Sequence, residues 1–350
     1  MFGVLQKILR HPEAVTVEEV AWIISNEELN EQLFSLADEV RRKYLGDEVF
    51  LRGIIEFSNY CRNDCLYCGI RASNKNVERY RMNLEEIYER AKIIANMNIK
   101  TIVLQSGEDP YYTKQMIADL IERIKRLNVA ITLSIGERDF EEYRIWKEAG
   151  ADRYLMRHET ADEELYARLH PNDSFQSRVE HLKQLKRLGY ETGAGSMVGL
   201  PDQTDLSLAK DVLFVYQLDA DMVGIGPFIP HPGTPLGNSK AGDLIKTLKL
   251  ISLTRLFLPD ANIPATTALG TIHPQGRQLA LKCGANVIMP NFTPSPYRAQ
   301  YTLYPNKICI FENDTACGRC TRKLVENAGY RVSEDFGYRR KIYERSSCGL

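Results

Sequence analysis

Between residues 49 and 291 the chain repeats one pattern: a short run rich in β-formers, then a stretch with helical spacing of apolar residues. The runs are VFLRGIIEFS (49–58), TIVLQSGE (101–108), AITLSIG (130–136), RYLMRHET (153–160), ETGAGSMVGL (191–200), DMVGIGPFI (221–229), NIPATTALG (262–270) and NVIMP (286–290). Helical stretches stand at 84–97, 113–128, 139–149, 162–169, 175–188, 204–218, 241–258 and 274–283. In the first of these, Leu84, Ile87, Ala91 and Ile94 share one face. Strands that alternate with helices pair in parallel through right-handed crossovers. Eight such units predict an α/β fold, a complete (β/α)8 TIM barrel at 49–291, near the ~250 residues usual for it. An open doubly wound sheet is the other arrangement the pattern allows. Residues 1–48 read as a helical extension packed on the barrel, with Thr16 and Glu19 spaced as a capping box. After the last run comes MPNFTPSPYRAQYTLYPN, and residues 292–350 form a C-terminal cysteine-bearing extension.

Charge and hydropathy exclude several classes. Forty-five Lys and Arg against 46 Asp and Glu leave a net charge of −1, so no electrostatic footprint for nucleic acid is present. Nowhere do about 20 apolar residues run together, so no membrane helix is expected. The first residues, MFGVLQKILRHPEAVTVEEV, carry charges throughout and are not a secretory signal. The expected location is cytoplasmic, where thiols stay reduced. Clustered cysteines there point to metal or redox chemistry rather than disulfides.

The eight cysteines are not scattered. Cys61, Cys65 and Cys68 stand in CRNDCLYC, directly after the first strand. In a barrel the loops that follow strands form the active face. The spacing is too tight for a helix to carry all three thiolates on one side, but a loop can wrap them around a cubane iron–sulfur cluster. Three thiolates for four irons leave one iron open, as in reactive rather than structural metal sites. A zinc site completed by a distant residue and an ordinary electron-transfer cluster are the alternatives; none of the six histidines lies beside the motif.

CRNDCLYC resembles the CxxxCxΦC motif of the radical S-adenosylmethionine (radical SAM) superfamily, with Tyr67 in the aromatic place. QSGED (105–109) is similar to that family's Gly-Gly-Glu turn, which holds the amino group of SAM, and departs from it at Ser106. GAGSMVGLPDQT (193–204) and FIPHPGTPL (228–236) resemble the biotin-synthase-like group. The resemblance covers the whole barrel. It implies a [4Fe-4S] cluster on Cys61, Cys65 and Cys68, whose open iron chelates SAM, and reductive cleavage to a 5′-deoxyadenosyl radical. It implies SAM contacts for Tyr67, Gln105, Ser106, Ser134, Glu159, Arg178 and Met197.

Period-two alternation puts Arg153, Leu155, Arg157 and Glu159 on one face of the fourth strand. With Leu155 inward, Arg157 and Glu159 enter the barrel mouth, where charges need partners. Glu159 is expected at the ribose or amino group of SAM, and Arg157 at an anionic substrate; a mutual ion pair is the structural alternative. Arg178, one turn into a helix capped by Ser174, is expected at SAM's carboxylate. Thr132, Thr266, Thr267, Met222 and Tyr301 are expected around the substrate, with Tyr304 beside Tyr301 as a cover.

The second, third and fifth strands hold no cysteine, so the sacrificial second cluster of biotin synthase has no ligands here. Cys283 is expected to be a small buried hydrophobe. Cys309, Cys317 and Cys320 offer three more thiolates beyond the barrel, enough for an accessory iron–sulfur cluster; structural zinc or free thiols are the alternatives. That trio, TTALGT (266–271) and MPNFTP (289–294) resemble the maturases of [FeFe]-hydrogenase. This likeness implies assembly of the diiron subcluster from a cysteine-bound iron carbonyl–cyanide complex, with the radical attacking its sulfur. It also implies an electron donor and transient contact with other maturases. A lysine mutase like methylornithine synthase, and a non-catalytic iron–sulfur carrier or scaffold, stay open.

Overall fold

The structure is a computed structural model that describes residues 2–310 and 314–341, without the side chains of Phe2 and residues 314–317. Cys348 lies outside the described residues. Helices α1 (Phe2–Arg10), α2 (Val17–Ser25) and α3 (Asn30–Leu45) precede the sheet. Thr16 and Glu19 form the expected capping box at the start of α2. Arg41 of α3 is wholly buried and donates to the carbonyls of Gly46 (2.7 Å), Glu48 (2.9 Å) and Ala285 (3.2 Å), which fixes α3 to the first strand.

That strand, β1 (Glu48–Ser58), is buried along nearly its whole length, as a strand covered on both faces must be. β2 (Thr101–Ser106), β3 (Ala130–Ser134), β4 (Arg153–Leu155) and β5 (Glu191–Ala194) follow, each parallel to its predecessor. Two-residue strands come next: β6 (Met197–Val198), β7 (Met222–Val223), β8 (Gly226–Pro227) and β9 (Val287–Ile288). The main sheet has the order β10-β1-β2-β3-β4-β5-β7, where β10 is Arg331–Ser333; β9 pairs with β1, and β6 with β8. Between the strands run α4 (Leu84–Asn96), α5 (Lys114–Lys125), α6 (Phe140–Glu148), α7 (Glu163–Leu169), α8 (Phe175–Arg187), α9 (Asp205–Gln217) and α10 (Leu244–Phe257). Then come α11 (Thr267–Ile272) and α12 (Gly276–Lys282) before β9, and α13 (Ser295–Gln300) and α14 (Asp314–Asn327) after it.

Closure differs from the expected complete barrel. Residues 262–270 do not form a strand: Asn262 and Pro264 make isolated parallel bridges to Met222 and Val287, and α11 begins at Thr267. Pro264 has no N–H to give a ladder. The result is a partial barrel, a curved parallel wall from β1 to β7 whose remaining side rests on single bridges. The expected strands at 191–200 and 221–229 each break in two. At the break, a β-carbon on Gly195 would sit 2.1 Å from the Gly224 carbonyl oxygen, so the two backbones approach as only glycine permits.

Arg52, Val103, Thr132, Leu155 and Met222 project from five strands into a small interior cavity of ≈ 20 Å³. The carbonyls of Phe336 and Gly337 sit against the N-terminal ends of the strands. Thr101 and Arg153 donate to Phe336 (both 2.9 Å), and Arg52 (3.3 Å) and Asn262 (3.0 Å) to Gly337.

Candidate functional site

The cysteine loop leaves the C-terminal end of β1 and is fixed at many points. The Arg62 amide donates to the Glu108 carbonyl (3.0 Å), Leu66 to Leu169 (3.0 Å), Gly69 to Leu303 (3.0 Å) and Ala72 to Asn63 (2.9 Å). Arg79 fans its guanidinium over the carbonyls of Asn59, Ile70, Arg71 and Asn74. Cys61 packs against the turn after β2: a β-carbon on Gly107 would lie 2.2 Å from the Tyr60 carbonyl oxygen and 2.8 Å from Cys61 Cβ. Ser106, the departure from the Gly-Gly-Glu pattern, turns its hydroxyl back to the Gly107 carbonyl (2.7 Å).

Burial pushes the thiols of Cys61, Cys65 and Cys68 up, Cys65 to about 12, and their neighbours' charges add to the rise at Cys65 and Cys68. Three thiols that feel one another share one pocket, and as thiolates they need a cationic centre. Among the described residues, no three His, Cys, Asp or Glu side chains converge on the spacing of a single metal ion. Three cysteine thiolates on one loop are a donor set that fits an iron–sulfur cluster.

β4 ends at Leu155, and beyond it Arg157 and Glu159 form the mutual ion pair that was the structural alternative, Nη2 to Oε2 at 3.2 Å. Arg157 also donates to the Ser196 carbonyl (2.7 Å). Glu159 holds φ at +64°, clamped by its amide to the Gly195 carbonyl and by the Met197 amide to its own carbonyl, both 2.9 Å. Arg157 Nε and Glu159 Oε2 are buried without a hydrogen bond, as are Thr132 Oγ1 and Thr266 Oγ1. Buried polar atoms are ordinarily satisfied. Of these, Glu159 Oε2 has the ion pair with Arg157, while Arg157 Nε, Thr132 Oγ1 and Thr266 Oγ1 are donors or acceptors a polar guest could use.

Other expected residues divide. Tyr67 and Met197 belong to one small apolar cluster with Leu165, Leu169, Leu200 and Phe228. The Tyr67 hydroxyl lies 2.9 Å from His170 Nε2. Gln105 donates to the hydroxyl of buried Tyr301 (3.3 Å), and Met222 lines the interior cavity, 2.7 Å from Arg52 Nη1. Ser134 ends β3 half-buried. Thr267 opens α11, and its carbonyl accepts from Thr271 (3.1 Å). Arg178, on a helix that Ser174 does cap, is fully engaged by protein: Glu137 (2.5 Å), the Arg157 carbonyl (2.5 Å) and Asp173 (3.0 Å). It braces Arg157, and a SAM carboxylate would have to compete with Glu137. Cys309 is half-buried, and its carbonyl accepts from Arg298 (2.8 Å). Cys320 is exposed on α14; Cys317 is on the same helix, its side chain outside the described residues. Cys283 is buried in the core as expected.

Sequence reading passed over Arg52, Glu56, Arg79, Asn262 and Lys307. Arg52 and Glu56 carried a signal, two charges four residues apart on one face of an otherwise apolar strand.

A model of the Radical SAM superfamily matches residues 55–215. The [FeFe] hydrogenase maturase subunit HydE of Thermotoga maritima is 58% identical over 97% of this chain and 98% of that protein. The 3-methylornithine synthase of Methanosarcina acetivorans is 34% identical over 76% of this chain and 75% of its own length. The crystal structure of methylornithine synthase (PylB) superposes with a TM-score of 0.81 at 29% identity, covering 94% of this chain and 97% of that one.

Proposed function

The chain belongs to the family of the [FeFe] hydrogenase maturase subunit HydE, within the radical SAM superfamily, and on that premise we propose that its substrate is a cysteine-bound iron carbonyl–cyanide complex used to build the hydrogenase diiron subcluster. Identity of 58% over nearly the whole of both chains carries the reading; the likeness to 3-methylornithine synthase is lower and spans less. The [4Fe-4S] cluster held by Cys61, Cys65 and Cys68, together with SAM, would supply 5′-deoxyadenosyl radical chemistry directed at the sulfur-bearing substrate.

The chain's own residues bind, orient and exclude water. Cys61, Cys65 and Cys68 hold the cluster. Glu159 takes a polar group of SAM on its carboxylate, and Tyr67 and Met197 cover the adenosyl part with apolar surface. Gln105, Ser106 and Ser134 line the same side. Arg157, held in place by Arg178, faces the anionic part of the substrate. Thr132, Thr266 and Thr267 offer hydroxyls to it, and Met222 and Tyr301 close around it. Water kept from such a pocket strengthens each of these contacts.

The division into 1–48, 49–291 and 292–350 goes with the reading, as does an accessory iron–sulfur site on Cys309, Cys317 and Cys320. A cytoplasmic location, an electron donor and passing contact with other maturases complete it. No helix among the described residues is long and apolar enough to cross a membrane.

The test is anaerobic reconstitution followed by reduction with SAM and the synthetic complex. Conversion of the complex together with 5′-deoxyadenosyl transfer to sulfur is expected. Formation of methylornithine from lysine instead would overturn the reading.

A further inference from the structure

The turn-rich segment after α13 carries Tyr301, Tyr304 and Lys307, of which Tyr301 meets Gln105 of β2 and Lys307 meets Glu56 of β1. The Lys307 ammonium is paired with Glu56 Oε1, and the two side chains are only 10% and 3% exposed. Glu56 stands four residues beyond Arg52 on the same face of β1, hence about 13 Å further up the wall. Its other oxygen accepts from Asn291 Nδ2 (2.8 Å). Lys307 also lies 5.4 Å from the ring centre of Tyr301, whose hydroxyl meets Gln105 of β2. Burial raises the Tyr304 phenol, with the Glu56 charge adding to the rise and Arg157 opposing it.

An ion pair this deep is a poor way to fasten a segment. Two desolvated charges stabilise less than apolar side chains of like volume do. The pair uses one of the three ammonium N–H donors, and among the described residues no further acceptor lies within hydrogen-bond reach. We propose that Lys307 is a specificity-determining residue of the barrel mouth: Glu56 is its resting counter-ion, and its remaining donors bind an anionic, cyanide-bearing group of the incoming substrate. This rests on the substrate class proposed above. Cyanide nitrogen is a strong acceptor, and an anionic complex suits an ammonium that is already dehydrated and held in place.

Steady-state conversion of the synthetic iron carbonyl–cyanide cysteinate by reconstituted wild-type, Lys307→Met, Lys307→Arg and Glu56→Gln proteins decides it. In Lys307→Met, KM should rise about tenfold while kcat changes less than about threefold, the pattern of a lost binding contact. Lys307→Arg should recover most of the loss. Glu56→Gln removes the counter-charge but keeps an acceptor, so its KM should fall below wild type. An unchanged KM in Lys307→Met, or a KM raised alike in Lys307→Met and Glu56→Gln, makes the pair a structural brace and ends the inference while the proposed function stands. A wild-type protein that ignores the complex ends both.

Discussion

Glu159 holds φ at +64°, where a residue with a β-carbon is strained by about 1–3 kcal/mol, and its buried Oε2 makes no hydrogen bond. The first costs folding stability, and the second leaves Arg157 as the close partner of that oxygen. Glu159→Gly is expected to raise the melting temperature while weakening SAM binding about tenfold, the size of one charge-assisted hydrogen bond. Thermal melts and SAM titration of the reduced cluster by EPR measure the two effects; a variant that loses stability contradicts the strain argument. Next to it, His158 takes the Gly195 amide on Nδ1 (3.2 Å) and lies 3.6 Å from Asp211, which accepts from the Ala161 amide. Burial lifts the Asp211 carboxyl above its usual range, with His158 opposing the shift. A carboxyl raised in the folded state favours folding in its protonated form, so it costs stability once pH exceeds the unfolded value near 3.9. Asp211→Asn should therefore be more stable than the parent at pH 8, with the gap narrowing toward pH 4. Urea midpoints at several pH values measure it, and an Asn variant weaker throughout would sink the idea.

Among the elements, the cysteine loop depends on one guanidinium. Arg79 satisfies four carbonyls that no helix or strand serves. Arg79→Met is expected to keep its far-UV circular dichroism but retain far less iron after reconstitution and desalting; full iron retention would show that the loop needs no staple. The sequence made the early half of the fold legible because β1 to β3 and the helices between them have unbroken periodicity. Legibility fails after residue 190, where glycine and proline allow the backbones to approach and ladders shrink to pairs. Pro264 turned an apparent strand into two bridges, and β10 is too short and exposed to leave a signal. The site divides the same way. Cysteine spacing and strand alternation are local, so Cys61, Cys65, Cys68, Arg157, Glu159 and Thr132 could be named. Lys307 meets Glu56 across 251 positions, and no local pattern carries that.

At the scale of the whole molecule, the C-terminal segment is tied to the sheet by charge. Arg339 is 4% exposed and reaches Asp260 (2.7 Å), Asp219 (2.8 Å) and Asp221 (3.2 Å). Arg339→Ala leaves Asp221 and Asp260 buried without it and is expected to cost about 3–5 kcal/mol. Chemical denaturation reads this directly, and a loss under about 1 kcal/mol would mean that water replaces the guanidinium. With the Phe336 and Gly337 carbonyls bolted beneath the strands by four side chains, the interior is a cul-de-sac. Under the proposed function SAM stands at the opposite end, where the cysteine loop leaves β1. Traffic is then last in, first out: the substrate seats before SAM covers it, and the spent halves of SAM leave before the product can.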